Sequence, residues 1–405
     1  MTHPIDPTRA AGLAAMQAFV PRMGGRYASG RNYDNGRGKH TAVSQLSPYI
    51  RRRLLTEAEV AQAALDAHGA EAAEKFLQEV LWRGYFKGWL EHRPQVWGAY
   101  QSGLLADLAA LDRDRALRRE VAKAEGGQTG LECFDAWAEE LVETGYLHNH
   151  ARMWFASIWI FTFGLPWRLG ADFFYRHLLD GDAASNTLGW RWVAGLHTRG
   201  KAYQAQAWNI ASFTNGRFTP RDADLALVTA GLEATEPDGL PPLLPLRGFT
   251  LPQAGVPTAL LLTDEDCRIE EFDLGALDIR AAAMLATGHL RSPLPVVQMV
   301  LDFEAGALAD CAGRAGVAMT PMRAGNASDL ARWAAKAGAV QIVTPYATRG
   351  PLHDWLTEAA PALEAMGITL AEWRREWDGD IWPHAKAGFF KVKAQMPRLL
   401  GAMQA

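Results

Sequence analysis

The stretch from Gly145 to Asn209 limits the fold more tightly than any other part of the chain. It opens GYLHNHARM, runs through a Trp-rich segment and continues to HLLDGDAASNTLGWRW. Trp154, Trp159, Trp167, Trp190 and Trp192 belong in a core, yet Asn149, Arg152, Asp180, Asp182 and Asn186 stand among them. Polar groups taken out of water need partners. A large, flat ligand with a polar edge satisfies the whole set at once, so a bound cofactor is the first expectation.

The flanking sequence sets the frame. A length of 405 residues predicts two domains. A net charge of −4 gives no global signal for nucleic acid, so a DNA contact needs a local basic face. Cys133, Cys267 and Cys311 lie far apart without metal-ligand spacing, which argues against zinc or iron–sulfur sites and fits a reducing, cytoplasmic setting. The N-terminus lacks the pattern of a signal peptide, and no run of eighteen apolar residues predicts a membrane span. A monomer is expected.

Residues 1–43 read as loop-rich, with Arg26, Arg31, Arg37 and Lys39 forming either a solvated arm or a loop over phosphate. Ser47 and Pro48 read as N-cap and first residue of a helix whose free amides suit an anion, with the Ser44 hydroxyl nearby. Thr56 starts the next helix. Residues 71–90 form a longer one that places Glu79, Trp82 and Arg83 on one face. Asp180 and Asp182 flank a tight loop without calcium-loop spacing, so no metal is expected. Residues 200–222 carry Lys201, Arg217 and Arg221 near aromatics, a mixture that suits a phosphodiester backbone. Residues 232–257 hold six Pro and read as a linker. Beyond them strands alternate with helices, which predicts a parallel sheet, but no GxGxxG fingerprint marks a dinucleotide site. The fold class expected is α + α/β: a helical domain over 1–231, then a Rossmann-like domain over 258–405 ending in an aromatic, basic tail.

GYLHNHARM, WRLGADFF, LLDGDAASN and GWRW, in this order, resemble the flavin domain of the DNA photolyase/cryptochrome family, and the resemblance covers roughly residues 27–220. It implies an all-helical FAD-binding domain. Tyr27, Ser44, Gln45, Leu46, Ser47, Asn149, Arg152, Asp180, Asp182 and Asn186 match its cofactor positions, with Val43 where Thr is usual. Arg31, Glu79, Trp82, Arg83, Asn149, Met153 and Trp192 match positions lining the lesion pocket, with Gly84 replacing an acidic residue and His150 an Arg. Trp190 and Trp167 match the first two members of an electron relay. The third has no aromatic near Arg113, leaving Trp97, Tyr100, Trp154 or Trp159 as substitutes. The resemblance implies light-driven repair of cyclobutane pyrimidine dimers in DNA, with Trp190, Trp167, Asn186 and Glu79 as the catalytic set, or alternatively a blue-light receptor with the same FAD pocket. A second antenna chromophore is not assigned. The family places its α/β domain before the flavin domain. The reverse order here implies a permuted or rearranged chain.

Overall fold

In a computed structural model, which describes residues 5–227 and 229–404, twelve α-helices precede the sheet. They are α1 (Arg9–Phe19), α2 (Gly25–Gly30), α3 (Ser47–Arg51), α4 (Glu57–Ala72), α5 (Glu74–Glu91), α6 (Gln95–Arg113), α7 (Arg115–Glu125), α8 (Glu132–Thr144), α9 (Asn149–Ser157), α10 (Trp167–His177), α11 (Ala183–Val193) and α12 (Ala207–Phe213). The start of α4 follows from its sequence. Thr56 accepts from the Glu59 amide, and Glu59 answers by accepting from the Thr56 amide, a capping box. The predicted loop at 1–43 is corrected by α1 and α2. Thr8 caps α1, and Met16 and Phe19 bury one side of it. Gly and Asn punctuation further along hid this short amphipathic repeat. Ser47 is also displaced by one position: it is the first helical residue, and Leu46 precedes it with no side-chain cap.

After α9 the backbone widens into a π-helical turn at Ile158–Thr162 before α10. Such insertions interrupt the ordinary ladder and often mark functional sites. Here the turn carries Trp159 into the core, fully buried. Gly170 on α10 lets Trp190 of α11 approach so closely that a Cβ there would sit 2.3 Å from the indole.

The second half is a five-stranded, wholly parallel sheet. Its strands are β1 (Pro257–Thr263), β2 (Asp278–Ala286), β3 (Thr320–Arg323), β4 (Gln341–Pro345) and β5 (Thr369–Trp373), in the order β3-β2-β1-β4-β5. α13 (Gln298–Ala315), α14 (Ser328–Lys336) and α15 (Pro351–Ala365) connect them. Alternation along β1 separates two cores. Leu260 and Leu262 join one continuous cluster with α13 and the helical half. Ala259 and Leu261 face a second cluster containing Leu330 and Leu356 of α14 and α15.

The Pro-rich segment lies against both halves: the Leu244 amide donates to His92 O, and Thr250 bridges Ala371 beside β5. The tail then returns to the helices through α16 (Glu376–Ile381), α17 (Phe390–Lys393) and α18 (Met396–Gln404). Trp382 is wholly buried over Gly88 of α5, where a Cβ would meet it at 2.8 Å. No helix among the described residues is long and apolar enough to cross a membrane.

Candidate flavin site

Three helices, with α11 packed against both α5 and α9, bring the predicted residues together. α5 carries Glu79, Trp82 and Arg83. α9 carries Asn149, Arg152 and Met153. α11 carries Asn186, Trp190 and Trp192. The loop between α10 and α11 adds two buried carboxylates. Asp180 accepts from Arg152 Nη2 at 2.9 Å, and Arg152 also donates through Nε to Leu147 O at 2.8 Å. Asp182 caps α11 by accepting from the Ser185 amide at 2.9 Å. Burial alone would raise both carboxyl pKa values. Arg152 reverses this for Asp180, while Lys87 and Arg51 reverse it for Asp182, so both are held below the usual carboxylate range.

Two cations that the sequence reading did not select make this loop possible. Arg51, at the end of α3, donates to Gly181 O at 3.0 Å and to Glu265 Oε1 at 2.9 Å, with Asp182 at 3.7 Å. Lys87 of α5 lies 3.6 Å from Asp182 and donates to Glu265 Oε2 at 3.1 Å. Glu265 comes from the Asp264–Glu265–Asp266 turn just beyond β1. In a sheet of this order the carboxyl ends of β1 and β4 form the usual ligand crevice. Here Arg51 and Lys87 fill it, together with Glu91 of α5, which accepts from Tyr346 Oη at 3.0 Å and the Arg349 amide at 2.8 Å. Arg53 completes the seam through Asp378 at 2.7 Å and Glu57 at 3.2 Å. Only contacts between distant segments identify these residues; RRR at 51–53 and DED at 264–266 were the available sequence signal.

The remaining predicted residues divide. Tyr27 is buried, and burial drives its phenol pKa far up. Gln45 adopts a left-handed backbone, φ 52°, which turns the chain into α3. Leu46 is fully buried, while Ser44 and Ser47 remain partly accessible, with Ser47 beside Asp180. With only five residues, α3 offers little helix dipole for an anion. Asn186 donates through Nδ2 to Ala171 O at 2.8 Å, leaving its amide oxygen available. Asn149 is exposed. Glu79 is ion-paired with Arg31, yet burial outweighs that partner and raises its pKa. Trp192 leans on Tyr203 at 5.5 Å, and Met153 is partly exposed. Trp82 does not stand open: Phe389 of the tail stacks on it at 3.9 Å, with the rings 8° from parallel. His150 donates through Nδ1 to Asn32 O and stacks on Trp154 at 4.4 Å, so it serves packing where an Arg was expected. The anticipated basic strip is largely neutralised. Arg31 pairs with Glu79, Arg217 with Asp34 and Arg221 with Asp224, while Lys201 stays exposed.

A cleft of about 530 Å³ borders this set. Gln45, His40, Glu140, Tyr146, Leu179 and Phe303 contribute to its wall. Of the predicted residues only Gln45 lines it, and Leu179 links it to Asp180. Asp34, His40 and Glu140 cluster beside it, but His40 Nε2 is 2.6 Å from Glu140 Oε1, a direct hydrogen bond with no space for an ion between them.

The site passes a test for FAD. Asp180 Oδ1, Arg83 Nη1 and Trp190 Nε1 are buried with no hydrogen-bond partner in the protein, one acceptor and two donors in the region defined by the three helices. A flavin edge offers groups of both kinds. The arrangement is that of a helical flavoprotein. The family description "FAD binding domain of DNA photolyase" matches residues 76–217, which makes this region a flavin-binding domain. Over that region the chain is similar to DNA photolyases. It is 37% identical over 193 residues to a deoxyribodipyrimidine photo-lyase of Thermus thermophilus, covering 47% of this chain and 43% of that protein. A Streptomyces griseus deoxyribodipyrimidine photo-lyase is 35% identical over 158 residues, covering 39% and 33%. The crystal structure of a bacterial class III photolyase from Agrobacterium tumefaciens aligns over 51% of this chain and 43% of its own at 25% identity, with a TM-score of 0.41. The chain thus spans less than half the length of these relatives.

The rim of the domain contains a pH-sensitive packing element. His197 lies 3.0 Å from Tyr85 Oη and against Trp89, and burial, then Arg191 and Arg93, lower its pKa to about 4. An imidazole kept neutral in the fold, against an ordinary value near ~6.5, stabilises fully above that value. The contribution declines as pH falls towards 4. The thermal midpoint should therefore be lower at pH 5 than at pH 7, and His197→Gln should narrow the gap. An unchanged gap would exclude His197 as its source.

Proposed function

We propose that the chain is a light-driven deoxyribodipyrimidine photo-lyase that splits cyclobutane pyrimidine dimers in DNA. The observation that carries this reading is the retention, around the flavin-binding carboxylates, of Glu79, Trp82, Asn149, Met153 and Trp192 on α5, α9 and the α11 helix that packs against both. A protein that only senses light has no need of such a pocket. When bound and reduced, FAD supplies light absorption and the electron that opens the dimer. The chain's own part is to hold and orient. Arg152 and Asp180 fix each other, Asp182 presents a carboxylate kept ionised by Lys87 and Arg51, and Asn186 is held by its Nδ2 bond to Ala171 O. Glu79, with its raised pKa, can share a proton with a pyrimidine edge once Arg31 releases it. Trp192 offers a stacking surface, Trp82 offers another once Phe389 leaves it, and Arg83 adds positive charge beside the carboxylates. Purified protein containing reduced FAD, illuminated with a dimer-containing oligonucleotide, should restore intact thymines. No restoration with FAD bound would overturn the assignment.

The blue-light receptor is the second reading. The occupied face of Trp82 and the Arg31–Glu79 pair favour it, because both close the pocket as it stands.

An electron relay belongs to either reading. Trp190 meets Trp159 edge-on at 6.2 Å, while Trp167 lies 5.9 Å from Tyr100, which stacks on Trp97 at 5.3 Å. Trp97 donates to Asp354 at 2.7 Å. We assign Tyr100 and Trp97 to the place where the sequence lacks a third relay tryptophan. Trp190→Phe should slow blue-light bleaching of oxidised flavin at least tenfold while sparing repair by chemically reduced protein. Unchanged bleaching would remove Trp190 from the route.

A further inference from the structure

The tail segment that covers Trp82 has the composition of a nucleic-acid contact. From Ile381 to Ala405 it carries Lys386, Lys391, Lys393 and Arg398 and no Asp or Glu, in a chain whose net charge is −4. Lys386 and Lys391 are exposed, whereas Lys393 is paired with Glu74 at 2.9 Å. Phe390 is 78% exposed, the most exposed large apolar side chain among the described residues. Its neighbour Phe389 is 5% exposed, lying flat on Trp82 with its edge towards Tyr85 at 5.8 Å. A buried Phe and a bare Phe, adjacent and flanked by lysines, do not describe an ordinary surface turn.

The attachments of the segment are uneven. Trp382 and Val392 are wholly buried and fix its two ends. Between the 3-10 turn ending at His384 and the four-residue α17, most of the chain lacks regular structure, and Lys386 to Gly388 are exposed. Besides the Phe389 stack, this interval is held by Arg93, just past the end of α5, donating through Nη2 to Lys386 O at 3.0 Å. Phe389 O accepts from the Val392 and Lys393 amides at 2.9 Å, so the ring leaves Trp82 by side-chain rotation or by a swing of α17, with Trp382 undisturbed. A base stacked on Trp82 gains about what the Phe389 stack gives up, so exchange of one for the other is close to balanced.

We propose that residues 386–391 are a displaceable lid on the pocket: Phe389 occupies the face of Trp82 that a flipped-out base takes, and a DNA strand opens the lid by engaging Lys386, Lys391 and Phe390. Exposed cations supply attraction to the phosphates, and the bare aromatic supplies a stacking or wedging surface. The lid rests on the reading of the pocket as a DNA-lesion site, and it gives that site a partner contact contributed from outside the flavin domain. A closed lid also lowers apparent affinity by the fraction of molecules that stand open.

The test uses the full-length, FAD-loaded protein in the dark and a fluorescent oligothymidylate, read by anisotropy at several salt concentrations. Phe389→Ala should bind about 3- to 10-fold tighter than the wild type, because the closed state is lost. Phe389→Leu keeps apolar bulk over Trp82 without the flat stack and should also bind tighter, which guards against a folding defect in the first variant. Lys386→Glu with Lys391→Glu should weaken binding and lower the salt slope by about two. Equal or weaker binding by both Phe389 variants, or no oligonucleotide binding by any form, overturns the lid. Failure of repair is read separately, as restored thymines under light. Tighter dark binding without restored thymines would leave the lid standing and remove the repair assignment.

Discussion

Arg51→Met is expected to destabilise the protein by roughly 3–5 kcal/mol, the usual cost of removing one partner from a buried ionic cluster. The guanidinium is almost wholly buried and donates to Gly181 O, Asp264 O and Glu265 Oε1 at 2.9–3.1 Å, with carboxylates of Asp182 and Asp264 each at 3.7 Å. Asp182 and Glu265 would then share Lys87, while Asp264 would keep Arg52 and Arg291. The pKa directions set the pH course. Asp182 and Asp264 titrate below their ordinary value in the fold, so the cluster contributes in full above ~4 and its contribution is lost as pH falls below that. Denaturant titration at pH 7 measures the loss; a change under 1 kcal/mol would mean that water replaces the guanidinium without penalty.

Arg152→Ala is expected to yield a folded protein that has lost most of its flavin. The Arg152–Asp180 bond is charge-assisted, a kind worth about 1.5–3 kcal/mol, which corresponds to roughly 10- to 100-fold in affinity if the ligand relies on the same carboxylate. Arg152 is a quarter exposed, whereas Asp180 is 5% exposed, so truncation leaves the carboxylate as the stranded partner. Its pKa then rises, because burial is left opposed only by the weaker influences of Ser47 and Arg83. Flavin-to-protein absorbance after gel filtration reads the outcome, and circular dichroism checks the fold. Full FAD occupancy would show that Asp180 holds its orientation unaided.

The contrast between these two arginines shows what the sequence made legible. Arg152 was readable because its partners lie within one compact run: the i to i+4 spacing of α9 and the DGD loop fall inside the same forty residues. The helix bearing Glu79 and Trp82 was readable for a similar reason, since a single amphipathic repeat places both residues on one face. The alternation of strands and helices likewise announced the parallel sheet. Arg51 and Lys87 were not readable as site residues. A buried cation looks like a solvated one until the counter-charges are located, and Glu265 lies 214 positions from Arg51. The cover on Trp82 was hidden in the same way, because Phe389 reaches it from the far end of the chain. Ser47 was misplaced by one residue because Pro48 fits the first or the second helical position equally well.

The seam at Arg51–Arg53 also bears on the order of assembly. These arginines and Lys87 are synthesised long before Asp264, Glu265, Asp266 and Asp378, the residues that neutralise them. Until the sheet is made, the helical half carries a knot of positive charge that cannot be buried without large cost. The loop bearing Asp180 and Asp182 is bonded directly to that knot through Gly181 O. On the proposed reading, flavin retention is expected to depend on completion of the polypeptide: a nascent or proteolysed chain ending before residue 264 has Arg152, Asp180 and Asp182 and lacks the counter-charges from Asp264 and Glu265.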